Sequence, residues 1–195
     1  RDWKPEYTNL GYHWLIVGDS IPSVLGNFGE FSVNQKNENG ILEIEFVSDI
    51  TVKLLFSYRI QYVQNTIYNR DILESSHIRT FKNGKLNSDI WMKRLCGLYL
   101  IVSDGDTITV SDTITYSGGL VYLNDSKEIR KIFKERSAEM EYVNQLNEHE
   151  YNIKDKNGRK TNKYFYKDGI FHFTEMKHFM GTVELKLKST NRVDD

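Results

Sequence analysis

Leu42-Glu43-Ile44-Glu45-Phe46-Val47-Ser48-Asp49-Ile50-Thr51-Val52-Lys53-Leu54-Leu55-Phe56-Ser57-Tyr58-Arg59-Ile60-Gln61-Tyr62 is the stretch whose reading decides the fold. Its even positions are apolar or aromatic throughout, Ser48 excepted. Glu43, Glu45, Asp49, Thr51, Lys53, Ser57, Arg59 and Gln61 hold odd positions. Successive strand residues project to opposite faces, so a period of two buries one face and wets the other. A single straight strand over this run would reach about 65–70 Å at roughly 3.3 Å per residue. A globule of this length has a radius of gyration near ~16 Å. The run must therefore bend sharply, coil around a barrel, or break into two strands near Ser48-Asp49. Each option demands a strongly curved sheet.

On either side, turn signals recur. Asn39-Gly40, Asn83-Gly84, Asp104-Gly105, Asn157-Gly158 and Asp168-Gly169 each sit between β-branched and aromatic runs. Asn, Asp and Gly tolerate the positive φ that type I′ hairpins require. Strands are expected at Tyr12 to Val17, followed by a Gly18-Asp19 turn, then at Ile21 to Val24 and Phe28 to Gln35. Further ones follow at Ile72 to Phe81, Leu86 to Met92, Leu98 to Val102, Thr107 to Val110 and Thr113 to Tyr116. The closing set is Tyr151 to Ile153, Tyr164 to Tyr166, Ile170 to Thr174 and the alternating Val183, Leu185 and Leu187. Residues 124–150 admit two readings: a helix capped by Ser126 and carrying Ile129, Ile132, Phe133, Met140 and Val143, or a turn followed by strands. The class is all-β: a strongly curved antiparallel meander closing into a barrel or half-barrel, with at most one short helix, since closure removes exposed edges. Polar residues 1–10, with Pro5, form an extended N-terminal arm, and 11–190 a single domain.

Composition narrows the function classes. The 195 residues carry a net charge of −1 with a pI near 6.6, so the concentrated positive surface that nucleic acid requires is absent. No apolar run approaches the roughly 20 residues of a membrane-spanning helix. Cys96 is the one cysteine, which excludes an intrachain disulfide and a cysteine-based zinc site, and its Leu95 and Leu98 neighbours make it a small core residue. The chain opens at Arg1, as a mature or trimmed form would, with any targeting segment out of view.

Groups capable of chemistry are scattered. His172 and Glu175 fall on opposite faces of a strand, and His178, His77 and Glu74 show no ligand spacing, so neither a metal nor a cofactor is expected. Ser75-Ser76-His77 reads as a strand exit, and Gly118-Gly119 as a bulge or turn. Two surfaces hold the candidate sites. Phe56, Tyr58 and Tyr62 share one strand face, where they line an apolar ligand cavity in a wide barrel or fill the core of a narrow one. Lys154, Lys156, Arg159, Lys160 and Lys163 crowd around Asn157-Gly158. They make either an anion or partner contact (lipid headgroup, acidic glycan, acidic protein) or a solvated hairpin that deters edge pairing.

The second half resembles a known family. Gly119-Leu120-Val121-Tyr122-Leu123, Ile132-Phe133-Lys134-Glu135-Arg136, Glu150-Tyr151-Asn152-Ile153, Lys156-Asn157-Gly158-Arg159, Asn162-Lys163-Tyr164-Phe165-Tyr166 and Asp168-Gly169-Ile170 are similar to the DUF6134 family of bacterial envelope-associated proteins. Asn124-Asp125-Ser126 stands where that pattern has a Glu-Pro turn, and Lys134 where it has Ser. The resemblance implies an exported, periplasmic or envelope-associated barrel-like fold, and it carries no catalytic residues. The expected function is a non-enzymatic envelope protein that binds a lipid or other apolar ligand, or docks on another envelope component. The alternatives are an accessory subunit of a larger envelope complex, and a small barrel isomerase or hydrolase using His77, Tyr58 or Glu74.

Overall fold

The computed structural model describes residues 9–18, 26–53, 57–123, 125, 127–178 and 181–192, with side chains at 29–51, 57–123, 125, 127–159, 162–175 and 184–190. Its hairpins are built where the turn chemistry puts them. Asn39-Gly40, Asn83-Gly84, Asp104-Gly105 and Asp168-Gly169 take positive φ at both residues, the pairs reading 52° and 81°, 50° and 76°, 50° and 96°, and 53° and 76°. That is the backbone of a two-residue turn matched to the twist of its strands. At Asn157-Gly158 only the glycine is left-handed, with φ 76°. There the Asp155 carboxylate instead accepts the N–H groups of Asn157 (2.8 Å) and Arg159 (2.9 Å), an Asx-type closure of a longer loop.

Two more turns use the same geometry without the same residues: Arg70-Asp71 (φ 47° and 70°) and Cys96-Gly97 (φ 50° and 83°). The second corrects the expectation for Cys96. It is exposed in a hairpin turn, not a core residue. Leu95 and Leu98 beside it point outward and are 48% and 47% exposed, so they offer it no core to join.

The strands are β1 (Asn9–Gly18), β2 (Gly26–Glu38), β3 (Ile41–Lys53), β4 (Ser57–Asn69), β5 (Ile72–Lys82), β6 (Lys85–Leu95), β7 (Leu98–Ser103) and β8 (Asp106–Val110), then β9 (Lys131–Lys134), β10 (Glu139–Asn147), β11 (Glu150–Lys154), β12 (Lys160–Lys167), β13 (Ile170–His178) and β14 (Gly181–Arg192). Of the expected N-terminal arm, residues 1–8 lie outside the described residues, and Asn9 and Leu10 already belong to β1. The strand expected at Ile21 to Val24 also lies outside them. Residues 131–147 take the strand reading rather than the helical one, and the helical element among the described residues is one 3-10 turn, Gly118–Tyr122.

The long alternating run is a hairpin. Lys53 pairs with Ser57 and Ser48 with Tyr62 in mid-strand, so the run is two strands and Ser48-Asp49 lies within the first of them. Even residues pair with even ones throughout, which keeps one face inward on both strands: Leu42, Ile44 and Phe46 are buried on β3, and Gln64, Thr66 and Tyr68 on β4. On the wet face Arg59 clamps the Asp49 carboxylate, with Nε at 2.7 Å, and holds it below the usual carboxylate range. A bulge opposite Ile67/Tyr68 switches the parity of β5, so that Leu73 and then Ser76, Ile78 and Thr80 face inward.

All fourteen strands form one antiparallel sheet in the order β8-β7-β6-β5-β4-β3-β2-β1-β14-β13-β12-β11-β10-β9. Sequence neighbours pair everywhere except at the centre, where the first strand pairs with the last. As hydrogen-bonded, the sheet is open, with β8 and β9 at its ends. The connector between those two strands forms the core. Ile114 C=O accepts the Leu73 N–H of β5 at 2.9 Å, and Tyr116 C=O accepts the Phe133 N–H of β9 at 3.0 Å. Further along, the Tyr122 ring meets Phe31 of β2 at 4.9 Å and Phe46 of β3 at 6.1 Å, and Phe171 of β13 at 5.1 Å and Tyr164 of β12 at 6.4 Å. Both halves of the sheet thus bury aromatic side chains on one short segment, each such ring worth roughly 1.5–3 kcal/mol on burial. Gly119 is the point of closest approach: a Cβ there would lie 2.6 Å from Cζ of the buried Phe46.

Two substitutions test these placements by chemical or thermal unfolding. Gly119→Ala should destabilise by about 1–3 kcal/mol, because the Phe46 ring has no free volume to enter. Cys96→Asn should stabilise by roughly 0.5–1 kcal/mol, because Asn adopts the left-handed turn conformation with less strain. A destabilised Cys96→Asn variant would contradict the turn assignment.

Candidate functional site

Of the aromatic row Phe56, Tyr58 and Tyr62 in the long run, Tyr58 and Tyr62 are the two described side chains, and they sit in different surroundings. Phe56 lies outside the described residues. Tyr58 is half-buried near the end of β4, with Lys82 Nζ 5.9 Å from its ring centroid, and the next residue on that face, Ile60, is 37% exposed. Tyr62 points inward, donates to Gln64 Oε1, and has its hydroxyl pKa raised by burial. Tyr58 and Tyr62 are separated by four residues along one strand, about 13 Å.

Tyr62 marks the edge of a buried polar network instead. Gln64 Nε2 reaches Thr66 Oγ1 at 2.9 Å, Glu135 Oε1 at 3.2 Å and Ser76 Oγ at 3.3 Å. Thr66 and Ser76 hydroxyls meet at 3.1 Å, and those of Tyr68 and Ser117 at 2.5 Å. The Ser117 hydroxyl donates to Glu135, and the Gly118 N–H also serves that carboxyl. Glu135 comes from the β9–β10 turn, Ser117 from the connector, Gln64 and Thr66 from β4, and Ser76 from β5. The network therefore ties the connector to strands from both halves of the sheet. Burial raises the Glu135 pKa, against the opposing hydrogen bonds from Ser117, Gly118 and Gln64. Ser117 is fully buried, so this Ser–Glu contact lacks a substrate path and acts as a lock. Sequence reasoning missed Glu135 because a charged residue in a tight turn normally faces water.

A small cavity of about 20 Å³ lies between the connector and β9–β12, lined by Tyr116, Val121, Ile132, Tyr151, Tyr164 and Tyr166 among others. That volume holds one water molecule. Tyr166 donates to Val121 C=O at 2.6 Å and Tyr151 to Asp125 Oδ1 at 2.8 Å, so both hydroxyls are already engaged. Tyr122, in the same aromatic cluster, has its hydroxyl pKa pushed up to about 12 by burial.

The basic hairpin is partly neutralised in place. Lys156 pairs with Glu139 at 2.7 Å, and Lys163 pairs with Glu150 while its Nζ sits 4.6 Å from the Phe165 centroid. Lys154 is half-buried and Arg159 exposed, and the Lys160 side chain lies outside the described residues. The residues named for acid–base chemistry are dispersed. Glu74 pairs with Arg94 at 3.3 Å, and His77 meets Asp89 at 2.7 Å and stacks on Trp91 with 3.5 Å between centroids. His77 pairs with Asn65, seven residues along β4 from Tyr58, about 23 Å. Among the described residues, no group of three or more His, Cys, Asp or Glu is placed to hold a metal ion.

The outer face of β6 and β7 has a different character. Trp91 is opposite Val102, Lys93 opposite Leu100 and Leu95 opposite Leu98. Trp91, Leu95, Leu98 and Leu100 are 54%, 48%, 47% and 37% exposed. These contiguous apolar side chains in water are what the binary pattern of strands normally prevents.

The Glu135 lock has a pH signature. Its folded pKa lies above the model-compound value of 4.5, so the stability it contributes is complete below that value and is lost as pH rises through the folded pKa. The difference in melting temperature between the wild type and Glu135→Gln, measured across pH 4 to 8, should therefore change with pH in that direction. A difference that is flat with pH would refute a raised pKa.

Comparison with known proteins agrees with this architecture. A crystal structure of a β-barrel-like protein of domain of unknown function DUF1849 from Brucella abortus superposes with a TM-score of 0.66 at 10% sequence identity, covering 96% of this chain and 99% of that one. At that identity the likeness is one of fold. No curated protein matches the chain. The sequence profile of the domain of unknown function DUF6134 matches residues 26–188, from the start of β2 to within β14. With a match over most of its length, the chain belongs to the DUF6134 family.

Proposed function

We propose that this chain is a non-enzymatic envelope protein whose working surface is its exterior, where it docks on another envelope component. One observation carries the reading: among the described residues the connector packs into the core and the cavity beside it is about 20 Å³, while Trp91, Leu95, Leu98 and Leu100 stand in solvent on β6 and β7. Ligand pockets for drug-sized or lipid-sized molecules run to about 300–1,000 Å³, more than tenfold larger. Exposed aromatic and branched aliphatic side chains with one interspersed lysine are the composition of an interface centre. In this reading the fold is barrel-like: the gap between β8 and β9 is bridged by the connector instead of a strand ladder. Export and an envelope location are part of this proposal.

The test is capture from the detergent-solubilised envelope of the native host. Wild-type protein should retain a defined partner. The double variant Trp91→Ser/Leu100→Ser should lose it while still unfolding cooperatively, at a stability cost of roughly 1–3 kcal/mol, since Leu100 is 37% exposed and Trp91 gives up its stack on His77. A solitary wild-type protein, or a double variant that retains the same partner, would refute docking through this face.

A further inference from the structure

The end of the sheet at β8 has the properties of a seam. The Asp104-Gly105 turn makes Ser103 and Asp106 the hydrogen-bonded pair that closes the hairpin, so Ile108 and Val110 also exchange bonds with β7. Thr107 and Thr109 then turn their N–H and C=O groups away from the sheet, and no hydrogen bond to them is made among the described residues. Native edges are blunted by shortness, charge, proline or a bulge. β8 is short and opens on Asp106, but Thr107-Ile108-Thr109-Val110 carries no charge, proline or bulge. The opposite end of the sheet is different, because Phe133 of β9 is bridged by Ser117 of the connector.

Side-chain placement points the same way. Ile108 lies on the core-facing side, directly opposite Ile101, which is 2% exposed, yet Ile108 itself is 47% exposed. It is a core-type residue left half in water.

We propose that β8 is a dimerisation strand, pairing antiparallel with β8 of a second copy about a two-fold axis at Ile108. The sequence is self-complementary in that register. Thr107 of each copy is opposite Thr109 of the other, and the outward N–H and C=O groups of both are used in narrow hydrogen-bonded pairs. The two Ile108 residues form the central non-hydrogen-bonded pair and cover one another. Asp106 is opposite Val110, so no like charges meet. Threonine–threonine and aliphatic cross-strand pairs are favourable ones, and a two-fold contact needs only one kind of surface. The inference stands apart from the docking face, since it uses the backbone of β8 and not Trp91 or Leu100. An edge of five residues buries less than the ~1,200 Å² of a standard interface, so the dimer is weak and concentration-dependent.

Sedimentation over a concentration series into the millimolar range should show a reversible monomer–dimer equilibrium. Thr109→Pro removes an outward N–H without touching the β7 ladder, and should raise the dissociation constant at least tenfold with an unchanged melting temperature. Cysteine probes then fix the register independently of any folding defect. Non-hydrogen-bonded partners lie about 4.5 Å apart at Cα, within disulfide reach. In a Cys96→Ser background, Ile108→Cys should therefore form a covalent dimer under mild oxidation at least tenfold faster than Thr107→Cys. A monomer at every concentration, a dimer indifferent to Thr109→Pro, or equal cross-linking at 107 and 108 would each overturn the proposal.

Discussion

Burial of the connector is the constraint on which the rest of this molecule depends. A sheet of fourteen strands with one apolar face must cover that face, and here the covering comes from residues 114–123, laid between β8 and β9 in sequence and against both halves of the sheet in space. Tyr122 contacts aromatic side chains from β2, β3, β12 and β13, so removing it would separate parts of the core that otherwise lie strands apart. Gly119 sits where backbone and the Phe46 ring are closest, which leaves this position no freedom for a larger side chain.

Apolar packing alone would leave such a segment free to slide, because dispersion and hydrophobic burial are non-directional. The hydrogen bonds among Gln64, Ser76, Tyr68, Ser117 and Glu135 supply the direction. A buried carboxyl is costly unless its partners are in place, so the network favours the one arrangement in which all of them are. The polar row on the inner face of β4, where Phe or Leu would have added more burial, serves this network.

Much of this architecture was legible in the sequence. Even-numbered parity gave the buried face at Leu42, Ile44 and Phe46 and kept its phase into β4, where Ile60 is nevertheless exposed, and four Asn-Gly or Asp-Gly pairs marked true two-residue turns. That the run divides between Lys53 and Ser57 was not legible, because the apolar alternation of the sequence continues in phase across that point. The Arg70-Asp71 and Cys96-Gly97 turns were hidden for a related reason: left-handed backbone at Arg or Cys is a compromise imposed by the register of the flanking strands, and no local propensity announces it. The interior sites were the least legible. Thr113 to Tyr116 looks like one more strand, and only the tertiary fold reveals it as core filling. Glu135 looks like surface. The aromatic row and the basic hairpin were visible as composition, but the spacing of residues along a strand says little about which of them meet.

The pairing of β1 with β14 carries a further consequence, for the order in which the chain can fold. Every other ladder joins strands adjacent in sequence and can form as soon as its hairpin exists. This one joins residues 10–18 to residues 183–192 and sits in the middle of the sheet. Until β14 has emerged, β1 presents a bare edge and the two halves are unconnected by any ladder. Contacts of such sequence separation are slow to form, since loop closure costs entropy before the pairing returns any stability. During synthesis the chain therefore spends time as two separate meanders with open edges, and this is the interval in which a chaperone that holds extended segments would matter most.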